Sequence, residues 1–247
     1  MDLHLEGRTA IVCGASAGIG LGIAEALAEE GANVVMFARR REVLEREAER
    51  LGALAVVGDV TSADDAERLV RTTVETYGGV DVLVNNSGGP PRTEAAHLTE
   101  EQVMGAVQLL LVSAIRLTGL CLAYLERSPA GRVVNITSST VREPVDALAL
   151  SNSVRPGVIG WAKTLSRELG PRGITVNSIA PGRIDTERIR EVYPEGPTAA
   201  DLAAIPLGRL GRAREIGDLV AFLSSDRASY LTGTVIAVDG GLSRGLA

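Results

Sequence analysis

The chain has 247 residues, 45% of them hydrophobic, which is enough for one large α/β core and does not force a second domain. Its net charge of −6 argues against the basic face that a nucleic-acid backbone selects, so no nucleic-acid partner is expected. The two cysteines, Cys13 and Cys121, are too few for a disulfide framework and lack metal spacing, so no metal is expected and a reducing, cytoplasmic setting fits.

The N-terminal stretch MDLHLEGRTAIVCG has no basic segment followed by an apolar one, so it does not read as a signal peptide. The longest apolar run, LLLVSAI before Arg116, is too short to span a bilayer, and no membrane partner is expected. Along the chain, β-rich apolar runs alternate with helical patterns. RTAIVCG reads as a strand, then GIGLGIAEALAEEG as a helix with Gly31 placed to cap it. NVVMFA is the next strand, and REVLEREAERLG a helix ending at Gly52. After strand ALAVVGDV, Thr61 and Ser62 offer N-caps to the acidic start of ADDAERLVRTTVETYGG. VDVLVNN follows, and Thr99 with Gln102 reads as a capping box for an apolar helix Gln102–Leu125. GRVVNITSS, GITVNSIAPG and GTVIAVDGG supply three more strands.

The strands are continuous apolar runs, which indicates burial on both faces. Regular βα alternation of such strands predicts a Rossmann-type doubly wound parallel sheet of about seven strands, helices on both faces, in one domain spanning residues 1–247.

Directly after the first strand, CGASAGIG places Gly14, Gly18 and Gly20 where a helix opens, with Ser16 and Ile19 between them. Glycines here permit a tight turn, and the free N–H groups of a helix start suit a pyrophosphate. A plain glycine turn is the competing reading, since the Gly-x-x-x-Gly-x-Gly spacing is not the commonest dinucleotide pattern.

That spacing resembles the short-chain dehydrogenases/reductases, and the resemblance continues along nearly the whole chain. Gly58–Val60, with Asp59 and Val60, is similar to the family's adenine-contacting turn. Asn85, Asn86 and Gly88 in NNSG resemble its Asn-Asn-Ala-Gly, and NITSS its serine-bearing strand. APGRIDT, with Pro181, Gly182, Ile184 and Thr186, is similar to the loop that holds the nicotinamide. The nearest subgroup by these motifs is the 3-oxoacyl-(acyl carrier protein) reductases. The resemblance implies a carbonyl–alcohol oxidoreductase acting on a small molecule and assembled as a homo-oligomer, a dimer or tetramer. It also implies a nicotinamide cofactor. Where NAD-preferring members carry an acid after the second strand, this chain has Ala38 followed by Arg39 and Arg40, which favours NADP over NAD.

The family's catalytic set is Asn, Ser, Tyr and Lys. By that resemblance the serine is Ser138, while Ser151 stands at the tyrosine position and Arg155 at the lysine position, where Arg155 also takes the cofactor-binding role. The asparagine position falls on or beside Leu110. None of Tyr77, Tyr124, Tyr193 and Tyr230 has a lysine four residues on, so none restores the motif. An arginine stays protonated and cannot relay a proton. Glu143, Asp146 and His97 are alternative proton-transfer groups, each with solvated surface as the default reading. Cys13, where a threonine is usual, reads as a packed strand end. Two functions follow: an NADP-dependent oxidoreductase with a rebuilt acid–base group, or a non-catalytic NADP-binding protein serving as sensor or oligomer partner. Pro156 predicts that its helix begins near Ser151–Ser153 under a Ser or Asn cap, or kinks at the proline.

Overall fold

A computed structural model describes residues 1–193 and 195–245. Seven strands form one sheet: β1 (Thr9–Cys13), β2 (Asn33–Ala38), β3 (Leu54–Val57), β4 (Val82–Asn85), β5 (Arg132–Ile136), β6 (Thr175–Pro181) and β7 (Val235–Val238). Their order is β3-β2-β1-β4-β5-β6-β7, and every neighbouring pair is parallel. The expected doubly wound parallel sheet is therefore present.

Alternate residues of the strands feed two cores, as a two-faced sheet requires. Ala10, Val12, Val34 and Met36 pack with α1 (Gly18–Glu29), α2 (Arg41–Leu51) and α9 (Ala213–Ser224) on one face. Ile11, Cys13, Val35 and Phe37 pack on the other with α3 (Ala63–Tyr77), α5 (Ser113–Leu125) and α6 (Ala149–Leu169). The continuous apolar runs hold for the inner strands, whereas the edge strands β3 and β7 are only partly buried.

The expected caps form where side-chain chemistry is local. Gly31 follows α1 at φ +80° and donates to the Ala28 carbonyl, Gly52 caps α2 at φ +64°, and Ser62 caps α3 by accepting from Asp65 N–H. Thr99 and Gln102 form the capping box of α4 (Glu100–Val107).

Two expectations change. From α4 the helical path runs unbroken through a π-helical turn, Gln108–Val112, into α5, giving 26 residues from Glu100 to Leu125. By length, and with a mean hydropathy of 1.9 over its most apolar 18 residues, this helix could cross a membrane, so the short-run argument fails. Tertiary contact accounts for part of its composition. Leu117, Cys121 and Leu125 are fully covered by the sheet, and Arg116 reaches the Val60 and Thr61 carbonyls. The second change is α6. It begins at Ala149 rather than Ser151–Ser153, Leu148 is an N-cap without a side-chain bond, and Pro156 lies inside the helix. Its start is held by tertiary bonds: Ala149 N–H donates to the Thr93 carbonyl, and the Asn152 amide grips both backbone groups of Val145. Those bonds replace the cap, and Pro156 removes the N–H that would have reached the Asn152 carbonyl.

Helices α1 and α9 approach through glycine. A Cβ at Gly217 would lie 2.2 Å from the Gly22 carbonyl oxygen. Gly217→Ala should therefore separate the two helices and cost about 1–3 kcal/mol or more. A melting curve unchanged from the parent would contradict this packing.

Candidate active site

The strand order reverses between β1 and β4, and the loops leaving these two strands diverge there. Ligands in open α/β sheets bind in such crevices at the carboxyl ends of strands. One cleft of about 630 Å³ opens at that end. It is lined by Gly14, Ser16, Gly18, Ile19, Gly20, Arg39, Arg40, Asp59, Val60, Asn86, Gly88, Pro181, Gly182, Ile184 and Thr186. Ser138, Ser151 and Arg155 line it too. Asn85 and Leu110 are set back from it, in the wall of a smaller cavity behind.

The nucleotide end is shaped by backbone. Gly14 and Gly18 hold φ +62° and +56°, and a Cβ on Gly20 would come within 2.1 Å of the Gly14 carbonyl oxygen. Asn86 fixes the turn by donating its amide to the Cys13 carbonyl at 3.0 Å. The N-cap of α1, Ala17, has no side chain able to satisfy the first N–H groups, so they remain available to an anion. A dinucleotide pyrophosphate fits this cradle. On the rim, Arg39 sits 3.6 Å from Asp59, and Arg40 pairs with Glu187 at 3.0 Å. Partial burial opposes ionisation of Asp59, but hydrogen bonds from Thr61 and the Arg39 charge outweigh it and hold its carboxyl below the usual range.

The chemical end is carried by β5 and α6. Ser138 follows β5 with extended backbone, and its Oγ accepts from Thr140 N–H at 3.2 Å. Ser151 is 5% exposed, and its Oγ lies 3.0 Å from Thr140 Oγ1. One helical turn on, Arg155 donates from Nε to Ser151 Oγ at 3.1 Å and from Nη1 to the Ile136 carbonyl at 3.2 Å. Burial lowers the Arg155 guanidinium to about 10, still far enough above neutral pH to keep it charged. Thr140 is a partner that the sequence alone did not single out. Its only signal there was its place two residues after Ser138.

Behind Arg155 lies a cavity of about 20 Å³, bounded by Asn85, Leu110, Ser113 and Asn135. Asn85 donates to Asn135 Oδ1 at 2.9 Å, while Asn85 Oδ1 and Asn135 Nδ2 have no protein partner. The volume suits about one water. Leu110 sits within the π-helical turn, and Ser113 Oγ donates to the Leu109 carbonyl at 2.6 Å.

The alternative proton-transfer groups lie elsewhere. Glu143 accepts from the backbone of Arg244 and Gly245, Asp146 is exposed, and His97 is an exposed partner of Glu94. None of the three lines the cleft. Cys13 is buried in the core, and desolvation pushes its thiol up to about 12. Among the described residues no cluster could hold a metal ion.

A sequence profile described as Enoyl-(Acyl carrier protein) reductase matches residues 14–243. The 3-oxoacyl-(acyl-carrier-protein) reductase FabG of Vibrio cholerae is 37% identical over 97% of this chain and 99% of its own. Among solved structures, the NADPH-dependent reductase YwfH, involved in bacilysin biosynthesis, superposes with a TM-score of 0.93 at 28% identity, covering 97% of this chain and 99% of that one. An NADPH-bound short-chain oxidoreductase of Pseudomonas aeruginosa PAO1, described as containing an atypical catalytic center, gives 0.91 at 32% identity, covering 96% and 97%. The agreement of glycine loop, sheet order and near full-length similarity has one reading: the chain belongs to the short-chain dehydrogenase/reductase family.

Proposed function

We propose that the protein is an NADP(H)-dependent oxidoreductase interconverting a carbonyl and an alcohol on a small molecule, with Ser138, Ser151 and Arg155 at its chemical end. The observation that carries this reading is that the uncapped glycine-rich helix start and the Ser138–Ser151–Arg155 group line one continuous cleft. The NADPH complexes and NADPH-dependent reductases among its structural relatives support the cofactor. So do Arg39 and Arg40 on the rim, where a 2′-phosphate would take charge-assisted bonds. The α1 N-terminus would hold the pyrophosphate, Asp59 and Val60 the adenine, and Asn86, Gly88, Pro181, Gly182, Ile184 and Thr186 the nicotinamide half.

Bound NADPH supplies the hydride. The protein's share is to hold and polarise the carbonyl. Ser138 and Ser151 stand where the family keeps its serine and tyrosine, and Arg155 where it keeps its lysine. Because Arg155 Nε–H already occupies a lone pair of Ser151 Oγ, the Ser151 proton must point to Thr140 or to a substrate oxygen. The fixed charge beside it stabilises negative charge developing on that oxygen, a contribution that needs no proton transfer by Arg155. Leu110, at the asparagine position, brings no side-chain polarity to the small cavity.

A second reading, a non-catalytic NADP-binding protein, is favoured by one observation. Among the described residues lining the cleft there is no tyrosine, lysine or histidine. General acid–base catalysis contributes about 10²–10⁴-fold, so its loss is substantial.

Assembly as a homo-oligomer, a tetramer by family resemblance, also belongs to this proposal, as does a cytoplasmic location. Only 39% of the most apolar window of the Glu100–Leu125 helix is buried within one chain, with Met104 and Ile115 exposed. A second copy packed on this face would cover it. Light scattering at micromolar concentration should give a multiple of the chain mass, and a monomer would refute the assembly.

NADPH should bind more tightly than NADH, and Arg39→Asp should reverse the order by roughly tenfold or more as a charged hydrogen bond becomes repulsion. Equal dissociation constants for the two cofactors in the parent would remove the basis for NADP.

Two substitutions separate the readings of the chemical end. Ser151→Tyr alone should add little ketone-reducing activity and Arg155→Lys alone none. Together they should exceed the product of the singles, because such residues act as a unit. NADPH oxidation with small ketones and 3-oxoacyl thioesters is the measurement. Parent activity lost in the double variant supports a rebuilt mechanism. Inactivity of both, with NADPH still bound, supports the binding-protein reading.

A further inference from the structure

The chemical end of the cleft contains a cation without a partner charge. Arg155 is 8% exposed, and both of its hydrogen-bond acceptors, Ser151 Oγ and the Ile136 carbonyl, are neutral. Among the described residues no carboxylate is ion-paired with it. The two carboxylates that line the cleft, Asp59 and Glu187, are on the nucleotide rim beside Arg39 and Arg40. A buried charge with no counter-ion is costly, and such groups concentrate at functional sites.

The guanidinium also has an open edge. Nη2 makes no hydrogen bond, yet it is not among the polar atoms sealed away from both solvent and partners. Arg155 lines both the main cleft and the small cavity behind it. The cavity behind has room for about one water, which would solvate the cation without neutralising it.

We propose that the substrate's reacting carbonyl belongs to a molecule that also carries a carboxylate, an oxo acid or its hydroxy-acid counterpart, and that the open edge of Arg155 binds that carboxylate. This rests on the oxidoreductase reading above and names its substrate class. A carboxylate presents two coplanar oxygens to the planar guanidinium fork. Its single negative charge equals the single positive charge that lacks compensation, whereas a dianionic phosphate would leave an excess buried. A neutral ketone or thioester would leave Arg155 unmatched. The charge that Arg155 holds would then select among carbonyl compounds as well as orient Ser151.

Calorimetric titration of the full-length protein tests this. NADPH and NADP⁺ are titrated first, and their failure to bind would end the oxidoreductase reading itself. Pyruvate, acetoacetate and acetate are then titrated into the NADP⁺-loaded protein, where an oxo compound is not turned over. Methyl pyruvate and methyl acetoacetate are the neutral controls. The oxo acids should bind at least about tenfold more tightly than their esters, the worth of a charge-assisted hydrogen bond. Arg155→Met, titrated at NADP⁺ concentrations that saturate the variant, should abolish that preference, and Arg155→Lys should keep part of it. If Arg155→Met does not fold, the parent's acid-to-ester ratio and the lysine variant decide alone. Esters binding as well as acids, or no acid binding at millimolar concentration while NADP⁺ binds normally, would overturn the proposal and leave the oxidoreductase reading standing.

Discussion

The site exists because all seven strands run in one direction and their order reverses once, between β1 and β4. Every strand therefore delivers its carboxyl end to the same edge, and the reversal parts the loops that follow β1 and β4. The glycine turn after β1, Asn86 after β4, Ser138 after β5 and Pro181 at the end of β6 meet there without being near in sequence. The two apolar cores keep the sheet rigid beneath them, so loop residues can be placed by strand register rather than by their own packing. At Gly20 the arrangement leaves no space for a side chain, because α1 starts against the Gly14 carbonyl. The nucleotide end is thus built from what is missing, a Cβ and a capping side chain, as much as from what is present.

Much of this was legible in the sequence, and the reason is local chemistry. Strand NVVMFA is β2 residue for residue, and the caps at Gly31, Gly52, Ser62 and Thr99 depend on neighbours a few positions away. The glycine-rich turn of Gly14, Gly18 and Gly20 is legible because it is itself a local signal. What sequence reasoning missed depends on contacts between distant segments. The start of α6 is fixed by Thr93 and Val145, which no cap pattern around Ser151 reveals. The helix Gln102–Leu125 is legible and continues past Arg116 as expected, but the short run before Arg116 understates its apolar length, because Arg116 is accommodated by carbonyls of the β3–α3 loop. Helix α9 was not singled out, yet Ile216 and Val220 recur at helical spacing behind a capping arrangement of Arg212 and Glu215. Thr140, Asn135 and the unpartnered amide atoms beside Arg155 appear only once the chain is folded.

Ser151 and Arg155 make physical sense as a unit. The two positions are one helical turn apart, so their side chains meet on one face of α6. A short serine leaves room that a long guanidinium can enter, and Arg155 does reach back to Ser151 Oγ. Either residue alone would be poorly served: the hydroxyl would lose a donor, and the buried guanidinium would lose one of its two acceptors. Thr140 closes the group by sharing a hydrogen bond with Ser151, which ties the loop after β5 to α6.

That coupling changes the kind of chemistry the cleft can offer. A phenol assisted by an ammonium can pass a proton back and forth, because its charge varies within the range in which enzymes work. A serine hydroxyl beside a guanidinium that stays charged through that range cannot. What remains is a fixed positive charge and oriented hydroxyls in a place sheltered from water, where electrostatic effects are larger than at a surface. Such a site depends on the charge and shape of what enters it more than on pH. The same burial that weakens Arg155 as a free cation sharpens it as a recognition element, since the energy of leaving it unmatched is recovered only by a ligand that brings the opposite charge.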